Sequence, residues 1–138
     1  MLKRFKGFTI LLLGGLLILT GCNTSVQMGD RIIGIQSGEF FYTDGILKTE
    51  YSGASFEQVW RAAEKTLEDL KAHSIVKEKK IATASIRAVL QDENIRIDIK
   101  YLAHDITTVG IRVGMTGNTL ASQFIHDKIK SNLMNMNM

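Results

Sequence analysis

The alternation of apolar and polar residues predicts a run of β-strands in the second half of the chain. Between residues 95 and 102 apolar residues alternate with polar ones, and similar alternation recurs in 82–90 and 106–113. Short turn sequences separate these segments, so together they are typical of an antiparallel meander with one buried and one solvated face. The lysine-rich segment 74–80 suits an edge strand, since lysine discourages edge-to-edge pairing.

A β-hairpin is predicted before this meander. An aromatic-rich run, 39–43, leads through Asp44-Gly45 into a second strand-like run, 46–51. Asp-Gly favours a two-residue turn because such turns need positive φ angles. A loop of this length would place Tyr42 opposite Leu47.

Two segments have the period of amphipathic helices. The first begins at Ser55, which forms a capping-box pattern with Gln58. The second, about 119–133, follows Asn118, a favourable N-cap residue. The apolar stripe of the first helix consists of Phe56, Val59, Trp60, Ala63, Leu67 and Leu70, and we place Trp60 in the core. The stripe of the second consists of Leu120, Ala121, Phe124, Ile125, Ile129 and Leu133.

These elements follow one another in the order ββαββββα. Two helices with one apolar stripe each can cover one face of an antiparallel sheet. The predicted fold class is therefore α+β, a two-layer sandwich with both helices on one face. We divide the chain into a leader (1–21), a tether (22–38) with a candidate short strand at 32–35, a single domain (39–133) and a frayed tail (134–138).

The N-terminal segment has the pattern of an export signal. Lys3, Arg4 and Lys6 precede an apolar run, 8–19, that is shorter than the about 20 residues a membrane-spanning helix needs. The run ends in Leu19-Thr20-Gly21-Cys22. This sequence resembles the lipobox of bacterial lipoprotein signal peptides.

The lipobox resemblance implies cleavage between Gly21 and Cys22 and attachment of diacylglycerol to the Cys22 thiol. Further acylation of the new amino group would give a lasting anchor, because one chain alone binds a membrane only marginally. A plain secretory signal with a chance cysteine is the alternative. If the source has two membranes, Asn23 favours the outer membrane, facing the periplasm, by the sorting rule for such lipoproteins.

Three further segments carry a family resemblance: 41–48, 56–67, and 109–114 with Gly117. They are similar to a family of small bacterial lipoproteins known as domain of unknown function 3568, and the likeness covers about 40–133. The glycine- and alanine-rich stretch that often follows the family's lipid cysteine is absent here. Asn118 also stands where the family often has an acid. The resemblance implies a lipoprotein and this fold, and it implies no activity.

The net charge of the chain without its leader bears on which kinds of partner it can bind. The chain carries 17 basic and 14 acidic residues. Lys3, Arg4 and Lys6 leave with a cleaved leader, so 14 of each remain and the formal net charge is zero, histidines aside. Because a neutral domain lacks the positive surplus of nucleic-acid-binding proteins, we expect no nucleic-acid partner.

Residues that carry catalysis or bind metals form no recognisable set. His73, His104 and His126 are far apart at no metal-ligand spacing, and the only cysteine, Cys22, is assigned to lipid. No serine lies in a nucleophile-elbow pattern. We therefore expect no catalytic residue, no metal and no cofactor.

Three features each admit a functional and a structural interpretation. His104-Asp105 is an acid–base pair or a plain turn. Gly114 and Gly117 offer N–H groups to an anion or supply positive φ before a helix. A set of outward-facing charges is a binding face or a group of cross-strand pairs: Arg87, Arg96, Asp98, Lys100 and Arg112.

The leading hypothesis is a non-enzymatic envelope lipoprotein, held at a membrane through Cys22, whose domain contacts another envelope protein or the cell wall. The alternative is a small-ligand binder with a cleft between helices and sheet near Trp60 and Tyr101.

Overall fold

The computed structural model describes residues 36–37 and 40–138. The leader, the lipobox with Cys22, Asn23 and the candidate strand at 32–35 lie outside the described residues. The strands are β1 (Gln36–Ser37), β2 (Phe41–Thr43), β3 (Ile46–Ser52), β4 (His73–Lys79), β5 (Thr83–Leu90), β6 (Glu93–Ala103) and β7 (Ile106–Val113). The helices are α1 (Phe56–Asp69) and α2 (Thr119–Met136).

The described strands form one antiparallel sheet in the order β1-β3-β7-β6-β5-β4, and β2 also pairs with β3. Both helices pack on the same face of this sheet. The predicted α+β sandwich and its order ββαββββα are confirmed, with the two-residue β1 added in front. This strand comes from the segment that we assigned to the tether, and it pairs with Ser52 and Tyr51.

The predicted hairpin forms with the expected register. Tyr42 lies opposite Leu47, and the turn residues Asp44 and Gly45 have φ angles of 53° and 78°. Positive φ at both positions gives the turn a twist that matches the two strands. The turn between β5 and β6 falls at Gln91 and Asp92, so β6 begins at Glu93, two residues before the alternating run predicted from residue 95.

Helix α1 begins as its sequence predicts. The Gln58 amide donates to Ser55 Oγ at 3.3 Å, and the Ser55 amide donates to the Gln58 side chain at 2.8 Å. These two bonds satisfy N–H groups that the first turn would leave without partners. Trp60 is 7% exposed and lies in the core, as expected.

The buried face of helix α2 is only partly the predicted one: Ile125, Ile129 and Leu133 are buried as expected. Leu120 and Phe124, which we placed in the core, are 79% and 50% exposed. The buried stripe consists of Ser122, Ile125, His126, Ile129, Asn132 and Leu133. An apolar pattern finds the three apolar members of this set but misses Ser122, His126 and Asn132, because they are polar. The buried Asn132 donates to Thr66 Oγ1 at 2.9 Å, which links the two helices.

The C-terminal tail also differs from the prediction. We expected residues 134–138 to fray, yet α2 continues to Met136. The Gln58 side chain donates to Asn137 Oδ1 at 3.1 Å, so the end of α2 contacts the start of α1.

The edge strand β4 is fastened to the helix layer by two of its lysines. Lys77 Nζ lies 2.9 Å from a Glu64 carboxylate oxygen, and Lys79 Nζ lies 2.5 Å from Glu57. Lys79 also lies over the Trp60 ring, 5.5 Å from its centroid. The predicted edge position is confirmed, and the lysines that discourage pairing there also cover the core.

Candidate binding face

The sheet has one face without helices, which we call the open face. On β5, β6 and β7 the residues that alternate with the buried isoleucines Ile86, Ile97 and Ile111 point to this side. The alternation along the strands predicts that its central charges face outward, and the structure brings them together. The charged members of the open face are Lys48, Glu50, Glu78, Lys80, Arg87, Arg96, Asp98, Lys100 and Arg112.

Three arginines form a row across the open face. Arg87 lies directly opposite Arg96, and Arg96 lies directly opposite Arg112. Neighbouring strands are about 4.8 Å apart, so this arginine row extends over roughly 10 Å. The sequence shows the three residues but not their alignment, because the alignment depends on the register of two hairpins.

The arginine row is only partly neutralised. Arg96 Nε donates to both carboxylate oxygens of Asp98, at 2.8 and 3.0 Å. Among the described residues, neither Arg87 nor Arg112 makes an ion pair. Like charges directly opposite each other on adjacent strands destabilise a sheet. The predicted alternative of cross-strand charge pairs therefore does not describe this row.

Two shallow clefts follow the open face. The larger, about 410 Å³, is lined by Lys48, Glu78, Lys80, Asp98, Lys100 and Gly110 among other residues. The smaller, about 260 Å³, contains all three arginines of the row together with Met115. Met115 is 84% exposed, so an apolar side chain stands beside the guanidinium groups.

The open face has a net positive charge, whereas the other described residues together do not. Six basic and three acidic residues lie on it. The remaining described residues include seven basic and nine acidic ones. The seven basic residues lie on the helix side with five of the acidic ones, and the other four acidic residues lie in or beside turns. The open face therefore has the largest positive surplus of the domain.

A buried polar network lies on the other side of the sheet. His126 Nε2 is 2.9 Å from the Leu47 carbonyl oxygen, which only accepts, so this nitrogen carries the proton. In the neutral ring Nδ1 then accepts from the Tyr51 hydroxyl, which lies 2.9 Å away. The Phe40 ring packs edge-on against the imidazole with centroids 5.2 Å apart.

Burial sets the protonation of this network. Desolvation lowers the pKa of His126 to about 4, although the hydrogen bond to Leu47 opposes the shift. Burial, with a smaller effect of the Asp127 charge, raises the pKa of Tyr51 well above its ordinary value. Both side chains are neutral at neutral pH and almost fully buried. The pair fastens α2 to β3, and sequence analysis missed it because neither residue belongs to a motif.

The glycine loop before α2 has a steric role. Gly45 has a φ of 78°, and a Cβ built on it would lie 2.5 Å from the Thr116 carbonyl oxygen. A Cβ on Gly117, with a φ of 88°, would collide with the Gly45 backbone. The Gly114 amide already donates to the Asn94 carbonyl at 2.8 Å. These contacts favour the turn interpretation of the loop over anion binding.

A further cleft of about 780 Å³ lies between the helices and the end of the sheet nearest the Gln91–Asp92 turn. Its apolar lining consists of Leu70, Leu90, Ile95, Val113, Met115, Ala121, Phe124 and Ile125. This is not the predicted location, since Tyr101 lies towards the opposite end of β6 and Trp60 is in the core.

The remaining sequence-predicted candidates are dispersed. His104 and Asp105 form an exposed turn between β6 and β7, with Nε2 3.1 Å from the carboxylate. His73, at the start of β4, and the buried His126 lie on other elements. Within the range that the structure describes, no three histidine, cysteine, aspartate or glutamate residues are grouped as metal ligands. No helix in that range has the length and hydrophobicity to cross a membrane.

Comparison with known proteins gives a family and no activity. The family model described as Protein of unknown function (DUF3568) matches residues 6–132, which is most of the chain. No curated protein matches the chain. The family resemblance seen in the sequence is confirmed by this match: the chain belongs to the DUF3568 family of proteins of unknown function.

Proposed function

We propose that this protein is a non-enzymatic envelope lipoprotein that is anchored through lipid on Cys22 and contacts another envelope component through its open face. The observation that carries the binding role is the arginine row, which gathers positive charge where the sheet would be more stable without it. Charges retained at a cost in stability are typical of binding surfaces.

The anchor supports this role by limiting where the open face can be. The 14 Cα–Cα steps from Cys22 to Gln36 span at most about 50 Å when the chain is fully extended. The domain would then search only the layer next to its membrane. A bound partner in that layer meets the domain at a high effective concentration, so even a weak surface contact becomes significant.

Two measurements test the proposal. Intact mass of the protein extracted from membranes should match residues 22–138 plus acyl chains, and Cys22→Ala should lose that mass. A photo-crosslinking residue at Ser85, on the open face, should capture an envelope component. The same residue at Glu68, exposed on α1, is the matched control. An unmodified full-length mass, or equal capture at both positions, would contradict the proposal.

A second candidate function rests on the cleft of about 780 Å³ between helices and sheet. Its volume is within the roughly 300–1,000 Å³ of small-molecule sites, and its lining combines apolar side chains with a few polar groups. Binding of an apolar fluorescent probe should then weaken in Ala121→Phe, which fills the cleft, and remain in Leu120→Phe, on the exposed side of α2. Equal binding by both variants would count against a ligand there.

A further inference from the structure

We infer that the arginine row binds the phosphate groups of anionic lipids, so that the domain lies with its open face on the bilayer that anchors it. This inference rests on the proposed function, and it names the envelope component that the face contacts. The geometry, the charge distribution and the position of the tether each support it.

The geometry of the row fits a surface of repeated anions better than one buried anion. A guanidinium group presents a planar fork of donors that matches phosphate oxygens. In the arginine row three such groups project from adjacent strands at the strand spacing of about 4.8 Å. They line a shallow cleft on a sheet surface instead of converging in a deep pocket. Each can therefore meet a different headgroup.

The charge distribution orients the domain. The open face has a surplus of three positive charges, while the other described residues have a surplus of two negative charges. The negative surplus lies in or beside the turns, at Asp44, Asp92, Glu93 and Asp105, while the helix side has seven basic and five acidic residues. The open face has the larger positive surplus, so an anionic bilayer attracts it more strongly than the helix side. An arginine near such a surface contributes about fivefold to the partition from water, so three contribute roughly a hundredfold.

Apolar side chains accompany the arginine row. Met115 lines the same cleft, and Val76 lies opposite Arg87, where it extends the row by one strand. Both are among the exposed large apolar residues of the domain. Basic residues beside exposed apolar ones are typical of surfaces that lie at the boundary between headgroups and acyl chains.

The tether allows this orientation. The chain enters the domain at β1, which pairs along the outer edge of β3. An entry at the sheet edge lies in the plane of the sheet, at the border of the open face, so the anchor does not pull that face away from the bilayer. A negatively charged protein is the competing occupant of the open face. Labelling in the presence and absence of other proteins distinguishes it from the lipid surface.

The test uses the acylated protein, purified from membranes and reconstituted into vesicles. One set of vesicles is phosphatidylcholine alone, and the other is equal parts of phosphatidylcholine and phosphatidylglycerol. Phenylglyoxal modifies accessible arginines, and peptide mass spectrometry measures the rate at each one. Arg61 is the internal control, because it is exposed on α1 and pairs with Glu57 away from the open face.

We expect Arg87, Arg96 and Arg112 to react about fivefold or more slowly on the anionic vesicles. Arg61 should react equally fast on both, and high salt should remove the difference. In the double variant Arg87→Gln/Arg112→Gln, the remaining Arg96 should lose its protection. Arg61→Gln should leave the protection of the row unchanged.

Each contrary result has a distinct meaning. Equal rates for the row on both vesicles, with an acylated protein, would overturn the inference and leave the proposed anchor standing. The same labelling is also carried out in isolated envelopes, which contain other proteins. Protection of the row there, but not on the protein-free vesicles, would assign the open face to a protein partner and overturn the inference. A protein without acyl mass would overturn the anchor, and the inference with it.

Discussion

The Tyr51 hydroxyl donates to His126 Nδ1 across 2.9 Å and joins strand β3 of the sheet to the second helix. Since His126 also donates to the Leu47 carbonyl, one imidazole ties α2 to two points of β3. Both side chains are almost fully buried, so the pair acts on stability rather than on a substrate.

The free energy of unfolding should decrease as the pH is lowered below 6.5, because His126 is buried in its neutral form. Burial lowers the pKa of its imidazole from 6.5 to about 4. The unfolded chain therefore binds more protons in that interval, and the stabilisation present above 6.5 is lost as the pH falls towards 4. The loss should reach about 3 kcal/mol at most. Urea unfolding across this range should show a steeper decline for wild type than for His126→Gln. Parallel curves would contradict the assignment.

Removing the Tyr51 hydroxyl should cost stability without changing the fold. Tyr51→Phe leaves His126 Nδ1 buried without its donor, which should cost about 1–3 kcal/mol. Tyr101→Phe is the control, because Tyr101 is exposed and should change stability by less than about 0.5 kcal/mol. Urea denaturation of the two variants measures the difference, and equal effects would argue against the hydrogen bond.

Gly117 should not tolerate a side chain. In Gly117→Ala the new Cβ meets the Gly45 backbone in addition to the unfavourable positive φ. We expect a loss greater than the about 1 kcal/mol that positive φ alone costs an alanine. Gly53→Ala separates the two effects, since Gly53 has a φ of 86° but is exposed. Thermal unfolding of both should rank Gly117→Ala as the less stable, and the reverse order would contradict the close approach.

The arginine row should cost the domain stability. Arg112→Thr removes a positive charge opposite Arg96, and should stabilise the sheet by a few tenths to about 1 kcal/mol. Lys48→Thr should give no such gain, because Lys48 lies opposite Gly110. The gain should shrink in high salt, where charges are screened. A loss of stability in Arg112→Thr would mean that the row is held by contacts within the domain.

The packing of α2 can be tested by one pair of variants. Ile125→Ala removes a fully buried side chain and should cost about 2–5 kcal/mol. Leu120→Ala should cost less than about 0.5 kcal/mol, because Leu120 is exposed. Equal losses would indicate that the helix packs through the stripe predicted from the sequence.

Local patterns predicted the elements of this fold well. The Asp44-Gly45 turn, the Ser55–Gln58 capping box and the alternation in β6 each depend on residues close together in the sequence. The face that α2 buries depends on distant residues. His126 is buried because Tyr51 and Leu47 supply partners 75 and 79 positions away, and no local rule contains that information.

The candidate site was predicted in part. Alternation placed Arg96 and Arg112 on the outward side of their strands, and the structure agrees. The direct opposition of Arg96 to Arg112 depends on the register of β6 with β7, and that of Arg87 to Arg96 on the register of β5 with β6. Alternation along a single strand assigns a face but not a register.

The position of β1 sets the order in which the domain yields to force. A pull on the chain from its N-terminal side reaches the sheet first at Gln36 and Ser37, which pair with only two residues of β3. Detachment of this short strand would lengthen the free chain by roughly 7 Å. The load would then reach β2, which pairs with β3 at three positions, and after it β3, which is paired to β7 over six residues and linked to α2 through Tyr51. The short strand β1 should therefore detach before the longer paired strands of the core carry the load.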